Sequence, residues 1–159
     1  MAGIHAGKPM SASAPNAPHV LHRLTLRVYY EDTDFSGAVY HASYLRFMER
    51  GRTEWVRSTG LDQRAAFAAR PSLAFVVRRL SIDYLRPAFM DDIVAVETRL
   101  IEARGASLDL EQCVLRGEQP LVTAKVLVAS LANGRPTRLP EKIVAALADP
   151  RRGRGSIGA

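Results

Sequence analysis

Tyr29-Tyr30-Glu31-Asp32-Thr33-Asp34-Phe35-Ser36-Gly37-Ala38-Val39-Tyr40-His41-Ala42-Ser43-Tyr44-Leu45-Arg46-Phe47-Met48-Glu49-Arg50 is the stretch on which the reading of this chain turns. A β-rich approach ends in three carboxylates, Glu31, Asp32 and Asp34. Gly37 supplies a turn, and His41 stands where an amphipathic pattern begins. From Tyr40 to Thr59 the residues Tyr44, Phe47, Met48, Gly51 and Trp55 recur at spacings of three and four. That spacing predicts a helix of roughly five turns with one wide apolar stripe. Arg46, Glu49, Arg50 and Arg57 take the other faces. Glycine in mid-helix costs about 1 kcal/mol relative to alanine, so Gly51 predicts a close approach of sheet backbone to that side of the helix. Gly60 is the expected stop.

Upstream, Leu24–Tyr29 alternates apolar and polar residues and predicts a half-buried strand. Downstream, Asp62–Ala69 predicts a short helix before Pro71. Four strand-like runs follow: Leu73–Leu85, Asp92–Glu102, Ala106–Arg116 and Leu121–Leu131, the last nearly continuous Val, Leu and Ala and expected to be central. Pro87, Gly105, Gly117 and Pro120 punctuate them. Pro140–Leu147 suits a terminal helix. The order β, long α, then four β predicts an α+β fold, with a long central helix wrapped by a five-stranded, mainly antiparallel sheet. Open sheet edges favour pairing with a second copy. Residues 1–20 read as a disordered leader, 21–148 as one domain, and 149–159 as a flexible Arg-rich tail.

The 159 residues are 47% hydrophobic and 24% charged, ordinary for a globular protein. The net charge of +6 is unevenly spread. Residues 24–137 carry 15 Lys+Arg against 14 Asp+Glu, so the excess sits at the two ends. A nucleic-acid-binding fold concentrates positive charge on a folded face, which this chain does not. No apolar run approaches the ~18 residues of a membrane span, and the leader lacks a signal-peptide core. These features predict a cytoplasmic protein. Cys113, the single cysteine, reads as a small buried apolar residue.

The first N–H groups of a helix are unsatisfied and carry partial positive charge. A carboxylate beside such an end can attack a carbonyl, or activate water against it, while the N–H groups receive the developing oxyanion. Acyl transfer needs that pairing. Asp34 is the first choice for the attacking group or general base, and the residues do not separate the two routes. Asp32, two residues away, points to the other side in an extended loop and reads as structural, bonding loop N–H groups or an arginine. Glu31 reads as solvated. His41 is a candidate to orient water or donate to the carbonyl oxygen or leaving thiolate. Tyr30 is a candidate to hold the Asp34 rotamer, or else a core tyrosine. Gly37, Val39 and Tyr40 are the candidate substrate-binding positions. His5, His19 and His22 lie in or beside the leader, so no metal site is predicted.

The element order together with Tyr30, Asp32, Asp34, Gly37, Val39, Tyr40 and His41, followed by Tyr44-Leu45 and Glu49-Arg50, resembles the hotdog-fold acyl-CoA thioesterases of the 4-hydroxybenzoyl-CoA thioesterase family. Within that family the chain looks most like the YbgC branch, whose members are associated with the Tol–Pal cell-envelope system. The resemblance spans about residues 22–135. It implies hydrolysis of an acyl-CoA thioester to a carboxylate and free CoA, with coenzyme A as part of the substrate and no separate cofactor. It also implies a homodimer, often paired into a tetramer, with active sites at subunit interfaces. By motif position Asp34 corresponds to the family's catalytic carboxylate, His41 to the branch's histidine and Tyr30 to its tyrosine.

Two other readings stand beside this one. In the hotdog dehydratases a loop histidine works with a helix acid, and His41 and Glu54 have loosely similar spacing. The His-Phe-Pro-Gly signature of those enzymes is absent, and Glu49 and Glu54 read better as solvated or salt-bridged. A non-enzymatic scaffold binding acyl carrier protein or envelope partners at the inner membrane is the other. Phe35, Tyr40, Tyr44, Phe47 and Trp55 either shape an acyl pocket or fill the core. Arg78, Arg79 and Arg86 are candidate contacts for CoA phosphates, although strict strand alternation would put Arg78 and Arg79 on opposite faces.

Overall fold

The computed structural model describes residues 21–149. The expected leader, and all of the expected tail but Asp149, lie outside the described residues. Five long strands form one antiparallel sheet: β1 (Leu21–Arg27), β2 (Leu73–Tyr84), β3 (Ile93–Arg104), β4 (Ser107–Arg116) and β5 (Gln119–Ala132). A two-residue sixth strand, β6 (Arg135–Pro136), hooks back onto the end of β5. The order across the sheet is β1-β3-β4-β5-β2. The run expected at the centre, β5, is interior, but the middle place belongs to β4. Edges fall on β1 and β2.

Alternation puts one face of the sheet against a helix. Val94, Val96 and Leu100 of β3, Leu108, Leu110 and Val114 of β4, and Val122, Val126 and Val128 of β5 are all buried. The long helix α1 (His41–Ser58) lies across β1, β3 and β4 and closes this core with Tyr44, Phe47, Met48, Trp55 and Val56. Each such large apolar side chain contributes about 1.5–3 kcal/mol on full burial. Two short helices complete the domain, α2 (Gln63–Ala68) and α3 (Glu141–Leu147). No helix among the described residues is long and apolar enough to cross a membrane.

Gly51 is where helix and sheet come closest. A Cβ there would lie 2.7 Å from Val96 Cγ1 and 3.3 Å from both Gln112 Nε2 and Thr98 Oγ1. The expected approach is therefore real, but it is made by side chains of β3 and β4, not by sheet backbone. Gly60 ends the helix at φ +86°, donating its N–H to the Arg57 carbonyl at 3.0 Å.

One side chain departs from the amphipathic pattern. Arg52 is buried, and its guanidinium donates to Gln112 Oε1 at 2.7 Å and pairs with Glu49. The Gln112 amide in turn donates to the Met48 carbonyl (2.9 Å) and to Thr98 Oγ1 (2.8 Å). Buried polar groups require such partners.

Candidate active site

Ahead of α1 the chain makes a single 3-10 turn, Tyr30–Asp32, and then a miniature hairpin. Thr33 bridges Val39 across it, and the Asp34 N–H donates to the Ala38 carbonyl at 3.0 Å. The tip is a β-turn in which the Gly37 N–H donates to the Asp34 carbonyl at 3.0 Å. Aspartate at the first and glycine at the fourth position suit such a turn. Gly37 has φ +82°, the left-handed region that costs glycine nothing. The hairpin is docked on the loop after β2 by the Ala38–Phe89 bridge and by Val39 N–H donating to the Ala88 carbonyl at 2.8 Å.

This local fold sends the two aspartates to opposite fates. Asp32 is buried; its Oδ2 accepts from the Tyr29 N–H at 2.9 Å, and Arg46 stands 3.8 Å from Oδ1. It is the structural residue expected, with both kinds of partner expected. Asp34 is exposed. Its Oδ1 accepts from the Ser36 N–H at 2.8 Å and from the Ser36 hydroxyl at 2.6 Å. The hydroxyl first and the N–H second hold its carboxyl below the usual aspartate value; slight desolvation works against them, and charge on His41 adds a lesser pull.

His41 opens α1, exposed, with its ring 4.4 Å from the Tyr40 ring and 6.3 Å from that of Tyr84. No side chain caps the helix. The Val39 and Tyr40 N–H groups are both taken, Tyr40 donating to the Asp32 carbonyl at 2.8 Å, and the Ser43 N–H folds back onto the Tyr40 carbonyl. Among the described residues the N–H groups without an acceptor at this tip are those of His41 and Ala42. The expected substrate-binding role of Val39 and Tyr40 therefore cannot run through their backbone donors. Val39 is buried, while the Tyr40 ring is exposed beside His41.

Tyr30 is neither of the things expected of it. It is 81% exposed, so it is no core residue, and among the described residues its phenol makes no hydrogen bond to Asp34. Its backbone carbonyl instead ties the turn, accepting from Thr33 N (3.1 Å) and Thr33 Oγ1 (2.8 Å). The candidate pocket aromatics divide: Tyr44, Phe47 and Trp55 are core, whereas Phe35 and Tyr40 are exposed. Glu49 and Glu54 form ion pairs with Arg52 and Arg57 one helical turn on, the salt-bridged positions expected.

Three residues near the site went unrecognised in the sequence. Ser36 is one. Tyr84, at the end of β2, donates its hydroxyl to the His41 carbonyl at 3.0 Å and packs edge-on to Tyr44, tying the first turn of α1 to the sheet. Burial pushes its phenol up. Ala88 is the third, its N–H donating to the Tyr44 hydroxyl at 2.9 Å while its carbonyl holds Val39. Only Ser36 carried a signal, as a hydroxyl two residues after an aspartate in a turn.

The arginines need a correction. The register of β2 against β5 shifts between Val77 and Arg79, leaving Arg78 as an extra residue in a bulge. Strict alternation fails there, so it no longer separates Arg78 from Arg79. Both are exposed, and neither has an ion pair among the described residues. Three cavities among the described residues lie away from Asp34. One is a basin of about 500 Å³ on the outer sheet face, around Glu97, Arg99, Glu111 and Lys125; a second is a cleft of about 90 Å³ beside α1, around Arg52, Trp55, Phe75 and Val77; the third, of about 330 Å³, lies around Ala103, Arg138, Leu139 and Val144. No group of three His, Cys, Asp or Glu residues is placed to hold a metal among the described residues.

A long helix with an uncapped start, held in a curled antiparallel sheet and preceded by a glycine turn that carries an exposed carboxylate, is a hotdog-type fold. Residues 28–147 match the thioesterase-like superfamily, and the chain belongs to it. It is similar to the acyl-CoA thioester hydrolase YbgC of Escherichia coli O6:H1, with 44% identity over 128 residues, covering 79% of this chain and 94% of that one. Among solved structures it is similar to a probable thioesterase from Bartonella henselae (45% identity, TM-score 0.74, covering 76% of this chain and 100% of that one). It is also similar to a thioesterase from Thermus thermophilus complexed with coenzyme A and zinc (29% identity, TM-score 0.70, covering 80% of this chain and 97% of that one). These likenesses make it a YbgC-type member of the superfamily.

Proposed function

We propose that this protein hydrolyses acyl-CoA thioesters through Asp34 and the N-terminal tip of α1. What supports the mechanism is an exposed carboxylate whose anion Ser36 favours and which feels the charge of His41, together with the N–H groups of His41 and Ala42, which have no acceptor among the described residues. The thioester carbonyl oxygen lies on those donors, which stabilise the charge that develops on it. In the general-base route Asp34 takes a proton from water, the water oxygen bonds to the carbonyl carbon, the C–S bond breaks, and the CoA thiolate leaves and is protonated. In the nucleophilic route Asp34 itself bonds to that carbon, the thiolate leaves, and water opens the mixed anhydride. His41, exposed at the same tip, donates to the carbonyl oxygen or to the departing thiolate.

A single chain leaves this site open. Phe35, Tyr40, Phe89 and Met90 are exposed around it, and the long edge of β2 exposes Val76 and Val77. Such a surface calls for a cover. We read it as a homodimer, or a pair of dimers, whose second copy completes the walls; acyl carrier protein is an alternative carrier of the acyl group, and the cytoplasm the expected compartment. The decisive experiment follows thiol release from a panel of acyl-CoAs by the full chain and by Asp34→Asn. Loss of about 10³-fold in turnover with an unchanged melting curve is expected. Near-native thiol release by Asp34→Asn removes Asp34 from the mechanism.

A further inference from the structure

We propose that Ser36 is a positioning residue for Asp34, holding Oδ1 from two directions so that Oδ2 alone is presented to the thioester or to the attacking water. This rests on the reading of Asp34 as the reacting carboxylate. The Ser36 N–H reaches Oδ1 at 2.8 Å and the Ser36 hydroxyl reaches the same oxygen at 2.6 Å. The hydroxyl is itself oriented, because Ser36 Oγ accepts from the Ala38 N–H at 3.3 Å. Its proton is thereby left to point at the carboxylate. Ala38 is in turn fixed by its bridge to Phe89 and by its carbonyl accepting from the Asp34 N–H. The chain of contacts runs from the loop after β2, through Ala38 and Ser36, to one carboxylate oxygen.

The geometry has two consequences. An exposed aspartate has several rotamers of similar energy, and two donors on one oxygen select one of them; near-attack geometry of this kind is where rate is gained. Two donors also favour the anion, so the reacting form persists into mildly acidic solution. The backbone contact is what any residue at position 36 could make in an Asx-turn. The hydroxyl contact is what serine adds, and only serine or threonine supplies it. The two contributions are therefore separable by substitution.

The test compares Ser36→Ala and Ser36→Thr with the native enzyme, with Asp34→Asn run alongside. Ser36→Ala is expected to lower kcat about tenfold with KM for acyl-CoA unchanged, and to move the acid limb of the kcat/KM profile to higher pH. Ser36→Thr restores both. The Asp34 carboxyl carbon, followed by NMR, titrates at higher pH in Ser36→Ala than in the native protein, a readout that needs no turnover. A purely structural role would lower thermal stability and leave the pH profile where it was. If Asp34→Asn is inactive while Ser36→Ala keeps the native profile, kcat and carboxyl titration, the positioning role is wrong and the Asp34 mechanism stands. If Asp34→Asn turns over normally, both fall together.

Discussion

The middle of α1 and its N-terminal tip are built on opposite terms. In the middle, a buried polar network is closed on itself: Arg52 meets Gln112 and Glu49, and Gln112 meets Met48 and Thr98, although among the described residues the Trp55 indole N–H further along has no partner. Gly51 leaves no room for even a methyl group. At the tip, aromatic rings stand exposed, the helix has no side-chain cap, and Asp34 faces solvent. Unpartnered donors are costly in a sealed interior but are useful where an oxyanion is to arrive. The fold thus closes the Arg52–Gln112 network beneath the helix and leaves free donors at the tip, where the proposed chemistry would use them.

That contrast predicts opposite phenotypes for substitutions at the two places. Asp34→Asn costs turnover and spares the fold. Arg52→Met does the reverse. It keeps the length of the side chain but strips Gln112 Oε1 of its donor, leaving a buried acceptor unsatisfied. A loss of about 1–3 kcal/mol is expected, read as a lower midpoint in urea with the m-value unchanged. If Arg52→Met is as stable as the native protein, the guanidinium does not carry the underside of the helix. If it also abolishes turnover at full stability, the division between middle and tip is wrong.

Gly51→Ala sharpens the same contrast with a smaller effect. Alanine improves helix propensity by about 1 kcal/mol. The new methyl, however, would sit 2.7 Å from Val96 Cγ1, a stiff, fully buried side chain. Overpacking of that kind costs about 1–3 kcal/mol, so the net change is destabilising by roughly 1 kcal/mol and the melting temperature falls by about 3 °C. Val96→Ala removes the obstructing methyl groups. The double variant should therefore be more stable than the two single losses predict, a coupling that a double-mutant cycle measures. Additive losses would mean that helix and sheet do not meet at this point.

The same distinction explains how much of the molecule is legible in its sequence. The five long strands, α1 and the role of Gly37 follow from periodicity and turn chemistry, which are local. Alternation in an extended loop predicts the separation of Asp32 from Asp34, but the separation arises differently, with Asp32 closing the 3-10 turn and Asp34 starting the hairpin beyond it. Arg52 is not legible, since an arginine on a helix reads as solvated until Gln112, from a distant strand, is brought beneath it. Tyr84 is hidden for the same reason: it reaches His41 only through the register of β2 against the rest of the sheet. Tyr30 fails differently. A motif position ties it to the aspartate, but the 3-10 turn leaves its ring outside, where a second chain, not this one, would have to give it a partner. The bulge at Arg78 is a single inserted residue, and no pattern in Val76-Val77-Arg78-Arg79-Leu80 announces it.

His22 offers the subtlest way to probe the satisfied side of this division, because it is, with the Trp55 indole, an exception within it among the described residues. It is only 3% exposed, on β1 opposite Thr98, and its Nδ1 has no partner among the described residues. Burial lowers its pKa, partly offset by the charge of Glu54 from α1. The folded protein therefore prefers the neutral ring, while the unfolded chain takes up a proton near the ordinary value of about 6.5. Between those two values the unfolded state binds more protons, so stability is full above about pH 6.5 and declines as pH falls toward the folded-state value. Below that value this contribution is constant. His22→Phe removes the step and leaves the rest of the acid profile, set by the carboxylates, in place. Denaturation curves of both proteins between about pH 5 and about 7.5 measure the difference. Parallel curves across that range would show that the His22 ring exchanges its proton as freely in the fold as out of it, and that β1 does not seal this side of α1.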